Sequence, residues 1–370
     1  MIGCVRASIR RLRSGVVPFQ DVDRLSVGYD GIRQTVGDSL SALAAKGRCG
    51  PVFVLGEWGT GKSHMLEFVR AAAALRRMAQ VKIDLNARDA PLNHPQRFYP
   101  WIAESVSFGE RRGLRSIIED AYLNPAVRDR LLQFAWAPTS RTLGTALQTI
   151  VLESVRSGSD CLSDDASWNL VMGADLPWSS GKRIIALDRL GCVARLLRCI
   201  GAGGLVAVFD EVETIDQLWS RPSRLGAYDT LATVCTLDAI WAVFGITRRF
   251  DQTITRDLER GILGYTGTRP SGDFLRHWRD RRYRVIEPPQ LTDDAAVELA
   301  RLVREAYASA YAVGFDGEKD TDLALAAWRT NPGRNPRNLI RAIIDALDSK
   351  RSFGCSSNSR LGRSTAHAAP

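Results

Sequence analysis

Histidine is scarce in this chain of 370 residues, with four copies, and the seven cysteines, at 4, 49, 161, 192, 199, 235 and 355, form no CxxC pair. Such spacing builds neither a zinc cluster nor a disulfide framework, and an odd count suits reduced, buried thiols. Long apolar runs are also missing: the longest covers 239–246, well short of the roughly 18 residues that a membrane span needs. The N-terminus has no signal-peptide core, because Arg6, Arg10, Arg11 and Arg13 interrupt it. An arginine-rich start without acids can mimic a mitochondrial presequence. Here, however, Ile2, Val5, Ile9 and Leu12 fall at helical spacing, which suits a basic N-terminal helix over 1–19 docked on the body. The expectation from these absences is a soluble, cytoplasmic protein with no membrane partner.

Compositional extremes are absent as well. Hydrophobic residues are 45% and charged residues 25%, ordinary globular usage that excludes a disordered or fibrous chain. The length favours a core domain with one smaller companion. The net charge of +9 invites a nucleic-acid reading, yet seven of those charges sit in residues 1–20 and 351–370, which carry arginines and no acids. One internal stretch, 248–284, holds ten arginines against five acids, interleaved with Phe250, Tyr265, Phe274, Trp278 and Tyr283. Basic groups with aromatics between them suit DNA or RNA contact, but equally a bound nucleotide or a neighbouring subunit in a homo-oligomer.

Val52-Phe53-Val54-Leu55 reads as a short strand that runs into a Gly-rich turn, and 64–75 as an amphipathic helix. Further strands are expected at 80–85, at 205–209 ending in Asp210-Glu211, at 239–246 and at 284–286. Residues 101–203 read as mostly helical, with breakers at Pro125, Pro138 and Pro177 and a polar stretch over 157–167. After Pro288-Pro289 the pattern is helix alone: a stripe from Ala296 to Val303 begun by a Thr292 cap, then 321–329, then 336–347. This predicts an α/β fold, with a parallel-sheet domain over 20–288 and a helical domain over 289–349. A disordered tail is expected over 350–370.

Gly56-Glu57-Trp58-Gly59-Thr60-Gly61-Lys62-Ser63 is a full match to the phosphate-loop pattern, placed between strand and helix as that pattern requires. Its glycines let successive N–H groups aim at phosphates, and the helix N-terminus adds a favourable dipole. Lys62 would reach the terminal phosphates of ATP and the Ser63 hydroxyl would ligate Mg²⁺. Asp210, at the end of a buried strand, would hold the Mg²⁺ shell, and Glu211 would polarise the attacking water; Glu213 could join them or lie on the surface. Two carboxylates after five apolar residues would be costly without a cation. Thr247 would emerge on the same sheet edge, free to bond a phosphate or water or simply to end its strand. His64 opens the helix and suits packing or capping.

These residues resemble an AAA+-type P-loop ATPase of the branch that includes origin-recognition and signal-transducing NTPases. Val27-Gly28-Tyr29-Asp30 resembles the segment that lies beside adenine in that branch. Gly333-Arg334-Asn335-Pro336-Arg337 resembles its second sensor, which implies that the helical domain is a lid whose Arg337 reaches the γ-phosphate. More narrowly, residues 9–18, 56–64 and 209–214 together are similar to the ATP-binding proteins of BREX (bacteriophage exclusion) defence systems. That resemblance implies a switch or motor-accessory ATPase, with defence machinery acting on DNA, such as a helicase, as partner. One departure stands out: 148 residues separate Lys62 from Asp210, so 101–203 reads as an insertion. Arg248, Arg249, Arg256, Arg260, Arg281 and Arg282 are all open as an arginine finger. The competing readings are a nucleotide-gated DNA-binding or scaffold protein with negligible hydrolysis, and a small-molecule kinase.

Overall fold

Seven strands form one sheet: β1 Val52–Leu55, β2 Ala79–Asp84, β3 Ser107–Phe108, β4 Arg111–Arg112, β5 Leu205–Asp210, β6 Ile240–Ile246 and β7 Arg284–Ile286. They belong to a computed structural model that describes residues 2–14, 17–137, 141–157, 164–176, 182–311, 319–331 and 334–358. The strand order is β4-β3-β2-β5-β6-β1-β7. From β2 to β7 the pairing is parallel, and β3 and β4 add an antiparallel edge. This is the α/β, P-loop NTPase arrangement of a mainly parallel sheet flanked by helices.

The apolar runs behave as parallel strands must. Every residue of β5 and β6 is buried, because crossover helices cover both faces. Register then lines up the large side chains: Phe209 pairs with Phe244, and Phe244 with Phe53. Their rings stack at 5.3 Å and 4.9 Å between centroids. Phe98 closes one end of this row, and Phe250 and Trp278 the other.

The hairpin at 107–112 is an addition to the sequence reading, which expected 101–203 to be mostly helical and named no strand there. Two-residue strands leave no periodicity to detect; the local sign was Gly109-Glu110, a two-residue turn whose glycine adopts φ 59°. The remainder of that segment is helical, at Leu114–Leu123, Pro125–Trp136, Arg141–Ser157, Asp165–Met172 and Lys182–Cys199. Asn124 starts the second of these, its side chain accepting from the Ala126 N–H ahead of Pro125. Asp164 caps the fourth in the same way, and Gly173, left-handed at φ 85°, ends it.

The chain divides into two compact units. One comprises residues 31–57 and 69–287 and contains the sheet; the other comprises residues up to 30, 58–68 and those from 288 onward. In the second unit, helices Asp293–Tyr311, Lys319–Thr330 and Pro336–Asn358 bury Leu299, Val303, Leu339, Ile343 and Leu347 together with Ile9, Leu12 and Leu25. The Thr292 hydroxyl accepts from the Ala295 N–H and so starts the first of them. The last helix continues to Asn358, where the sequence suggested a disordered tail from 350. Residues 359–370 lie outside the described residues, as do Pro138, 158–163, Pro177 and Gly333. No helix among the described residues is long and apolar enough to cross a membrane. Cys49, Cys192, Cys199 and Cys235 are free thiols.

Phe53 contacts five aromatic rings in this core. Phe53→Ala should therefore cost about 3–5 kcal/mol, read as a shift of the denaturant midpoint at unchanged slope.

Candidate functional site

Parallel strands deliver their C-terminal ends to one edge, so the loops that follow β1, β2, β5 and β6 emerge side by side. At that edge the Gly56 N–H donates to the Ile246 carbonyl at 3.0 Å, which ties the start of the phosphate loop to the end of β6. The Glu57 carboxylate accepts from the Arg248 N–H at 3.1 Å. Thr247 lies between β6 and helix Arg248–Glu259 as its extended N-cap, with no side-chain capping bond. Asp210 ends β5 in register with Asp84 at the end of β2.

Asp210 is 4% exposed. A carboxylate so far from water calls for a cation, and Lys82 of β2 supplies it: Nζ lies 3.4 Å from Asp210 Oδ2 and 2.8 Å from Asp84 Oδ1. Neither Lys82 nor Asp84 stood out in the sequence. The sign was a single charged residue inside the otherwise uncharged Ala79-Gln80-Val81-Lys82-Ile83. The second Asp210 oxygen accepts from the Glu211 N–H at 2.9 Å. Glu211 itself is exposed and left-handed, at φ 60°, a conformation that costs a non-glycine residue roughly 1–2 kcal/mol.

The second unit holds the remainder of the loop. Gly59 and Gly61 adopt φ 84° and 102°, the freedom that the motif's glycines were expected to supply. Helix Lys62–Leu75 follows, its ladder beginning with the Met65 N–H to the Gly61 carbonyl. Thr60 and Ser63 are exposed and Lys62 is half-buried. Trp58 is 86% exposed, and the Arg337 guanidinium lies 5.0 Å from its ring centroid. Arg337 donates a further bond to the Ser14 carbonyl at 2.6 Å, while its Nε is buried with no partner among the described residues. Asn335 caps helix Pro336–Asn358, its side-chain oxygen accepting from the Arg337 N–H, and its amide sits over Gly59, where a Cβ would fall 2.1 Å from the amide nitrogen.

His64 is half-buried and committed to local structure. Ser26 Oγ donates to the Val22 carbonyl, so it accepts from His64 Nε2, at 2.8 Å. The Tyr29 ring meets the imidazole edge-on at 5.4 Å. Desolvation lowers the His64 pKa from 6.5 to about 4. The segment thought to lie beside adenine is thus joined to the phosphate-loop helix: Gly28 is exposed at φ 77°, Val27 packs on the helical core, and Tyr29 is buried against His64 and Phe68.

The basic stretch 248–284 is arranged differently from a stacking platform. Phe250, Phe274 and Trp278 are buried around Phe53, and Tyr283 is half-buried beside them; of the five aromatics Tyr265 alone is exposed. Its arginines are largely paired: Arg249 and Arg256 with Asp216, Arg276 with Asp273, Arg281 with Asp251, and Arg279 with Asp280. Aromatics at helical spacing between arginines describe an amphipathic helix with a buried stripe as well as they describe a binding face, and the buried stripe is the outcome for Phe250, Phe274 and Trp278.

Lys82→Met should remove the ammonium that Asp210 shares with Asp84 and cost about 3–5 kcal/mol in urea unfolding, and Asp210→Asn in the same chain should recover much of it. A loss below about 1 kcal/mol would show that the pair carries no such weight. The depressed His64 pKa has its own signature. An unfolded chain takes up a proton below about 6.5 that the folded chain refuses until about 4, so stability falls as pH drops through that window and is unaffected above it. His64→Phe keeps a ring against Tyr29 without the titration, and its melting temperature should fall less across the window than that of the wild type.

No curated protein matches the chain. The family described as BREX system ATP-binding protein BrxC/D does, over residues 4–161 and 183–360, the interruption falling inside the helical segment that separates Lys62 from Asp210. With nearly the whole length matched, the chain belongs to the BREX system ATP-binding protein family, which supplies ATP as its ligand and phage defence as its setting.

Proposed function

We propose that this protein is a Mg²⁺-dependent ATPase that works as a switch or motor accessory for defence machinery acting on DNA. The observation that carries the reading is the loop 58–64: two left-handed glycines leading directly into the N-terminus of helix Lys62–Leu75. Such a backbone suits the oxygens of a triphosphate, with the Lys62 ammonium as countercharge. The orphaned Nε of Arg337, in a helix carried on the same unit, is a donor suited to an anion there.

For Mg²⁺, the residues fit an ion that arrives with phosphate. Among the described residues no group of three or more His, Cys, Asp or Glu side chains could hold a metal unaided. Mg²⁺ commonly takes one or two protein oxygens and completes its shell with phosphate and water. In this reading Asp210 and the Ser63 hydroxyl are those protein ligands, and the ion would neutralise developing phosphate charge. Glu211, exposed beside Asp210, orients and deprotonates the attacking water, and Thr247 at the same edge offers a hydroxyl to that water or to phosphate. A neighbouring copy or partner could supply a further arginine; Arg248 and Arg260 are exposed.

Lys62→Ala should abolish binding of a fluorescent ATP analogue. Glu211→Gln should retain binding and lose turnover by about 10²-fold or more, read as phosphate release. Unchanged binding in Lys62→Ala would overturn the site assignment. Near-zero release from the wild type, with and without DNA, would favour the nucleotide-gated scaffold instead.

A further inference from the structure

With Phe250, Phe274 and Trp278 committed to the core, the exposed aromatics of the sheet unit lie elsewhere. Trp219 is 96% exposed, on the loop between the short turn Val212–Gln217 and helix Arg221–Thr236. An indole left wholly in water forgoes the burial that normally makes tryptophan worth having and keeps both ring faces open to a partner. The loop is well held: Arg224 donates to the Leu218 carbonyl at 2.9 Å, and Ser220 caps the following helix through the Ser223 N–H. Trp219 is therefore presented on an ordered backbone, which lowers the entropy cost of binding.

Its surroundings are cationic. Two residues on, Arg221 lays its guanidinium 3.9 Å from the centroid of Tyr265, itself 56% exposed. Three residues back, Asp216 holds Arg249 and Arg256, each at 2.5 Å. Chain connectivity alone keeps the backbone of 216, 219 and 221 within about 20 Å. Asp216 is largely covered, whereas both of its arginines face water, so one carboxylate leaves two guanidinium groups with a net positive charge. Asp257, on the same helix as these arginines, is buried and taken by Arg224 and Tyr228; Glu259 at its end is the exposed acid of that helix.

We propose that this face binds single-stranded nucleic acid, with Trp219 and Tyr265 stacking on bases and Arg221, Arg249 and Arg256 contacting phosphates. A second copy docked by the same patch would oppose arginine with arginine, and a purely apolar partner would leave the guanidinium groups without anions. A planar guanidinium matches phosphate geometry. A projecting ring needs a free base face, which a single strand offers and a stacked duplex does not. The proposal deepens the reading of action on DNA and does not depend on the phosphate loop.

The test is the anisotropy of a fluorescein-labelled oligothymidylate titrated with the full chain at several salt concentrations. The wild type should bind with affinity that falls steeply with salt. Trp219→Ala should weaken binding by about 5- to 100-fold, and Arg249→Gln should lower the log–log salt slope by about 0.7, the change expected when one phosphate is no longer neutralised. Trp136→Ala, which removes an exposed ring on another helix, should bind as the wild type does. All three variants should bind the ATP analogue normally, so failure here is distinguishable from failure of the ATP site. The proposal is overturned by no binding at low salt, by unchanged affinity in Trp219→Ala, by preference for duplex, or by self-association that Trp219→Ala abolishes.

Discussion

The placement of β6 between β1 and β5 is the constraint on which the candidate chemistry rests. Because the three strands run parallel, Gly56, Thr247 and Asp210 follow or end their strands at the same edge, though they are far apart in sequence. The Gly56 N–H on the Ile246 carbonyl then fixes where the phosphate loop departs. Parallel pairing demands long crossovers, and helices over the sheet are what leave β6 and the residues of β5 before Asp210 without a charge. The same burial makes an acid at the end of β5 expensive. Lys82, reaching from the neighbouring strand, is the answer to that cost, and it binds Asp84 as well.

Left-handed backbone occurs at three positions of the candidate site, Gly59, Gly61 and Glu211. Gly59 and Gly61 reach left-handed φ values without steric cost, and Asn335 occupies the room that the absent Gly59 side chain leaves. Glu211 takes the same region against its preference, held by the bond from its N–H to Asp210. A strained acid directly after a buried one is a pre-organised pair, with one group shielded and one presented to water.

Arginine serves opposite ends in this chain. Arg249 and Arg256 converge on a covered carboxylate and keep their outer faces in water, whereas Arg224 is drawn inward with Asp257. Arg337 rests on the indole of Trp58, and Arg221 on the phenol ring of Tyr265, by attraction between a cation and a ring face. Counting arginines along 248–284 could not separate these uses, because pairing is set by residues such as Asp216 and Asp251 at distances that only folding creates or by the helix face each occupies.

The amino-acid order by itself determined the local features: the strand before the phosphate loop, its left-handed glycines, the apolar strands β5 and β6, β7, and the cap at Thr292. Each rests on interactions between residues within a few positions of one another, so a linear reading reaches them. The tertiary structure alone decided that Lys82 faces Asp210, that Phe250 and Trp278 close on Phe53, that Arg337 lies over Trp58, and that Trp219 stands in water. Those outcomes depend on strand order and helix facing, which join residues tens to hundreds of positions apart. The short β3–β4 hairpin was also out of reach, since two residues per strand are too few to display a period, and its existence depends on the edge that β2 offers.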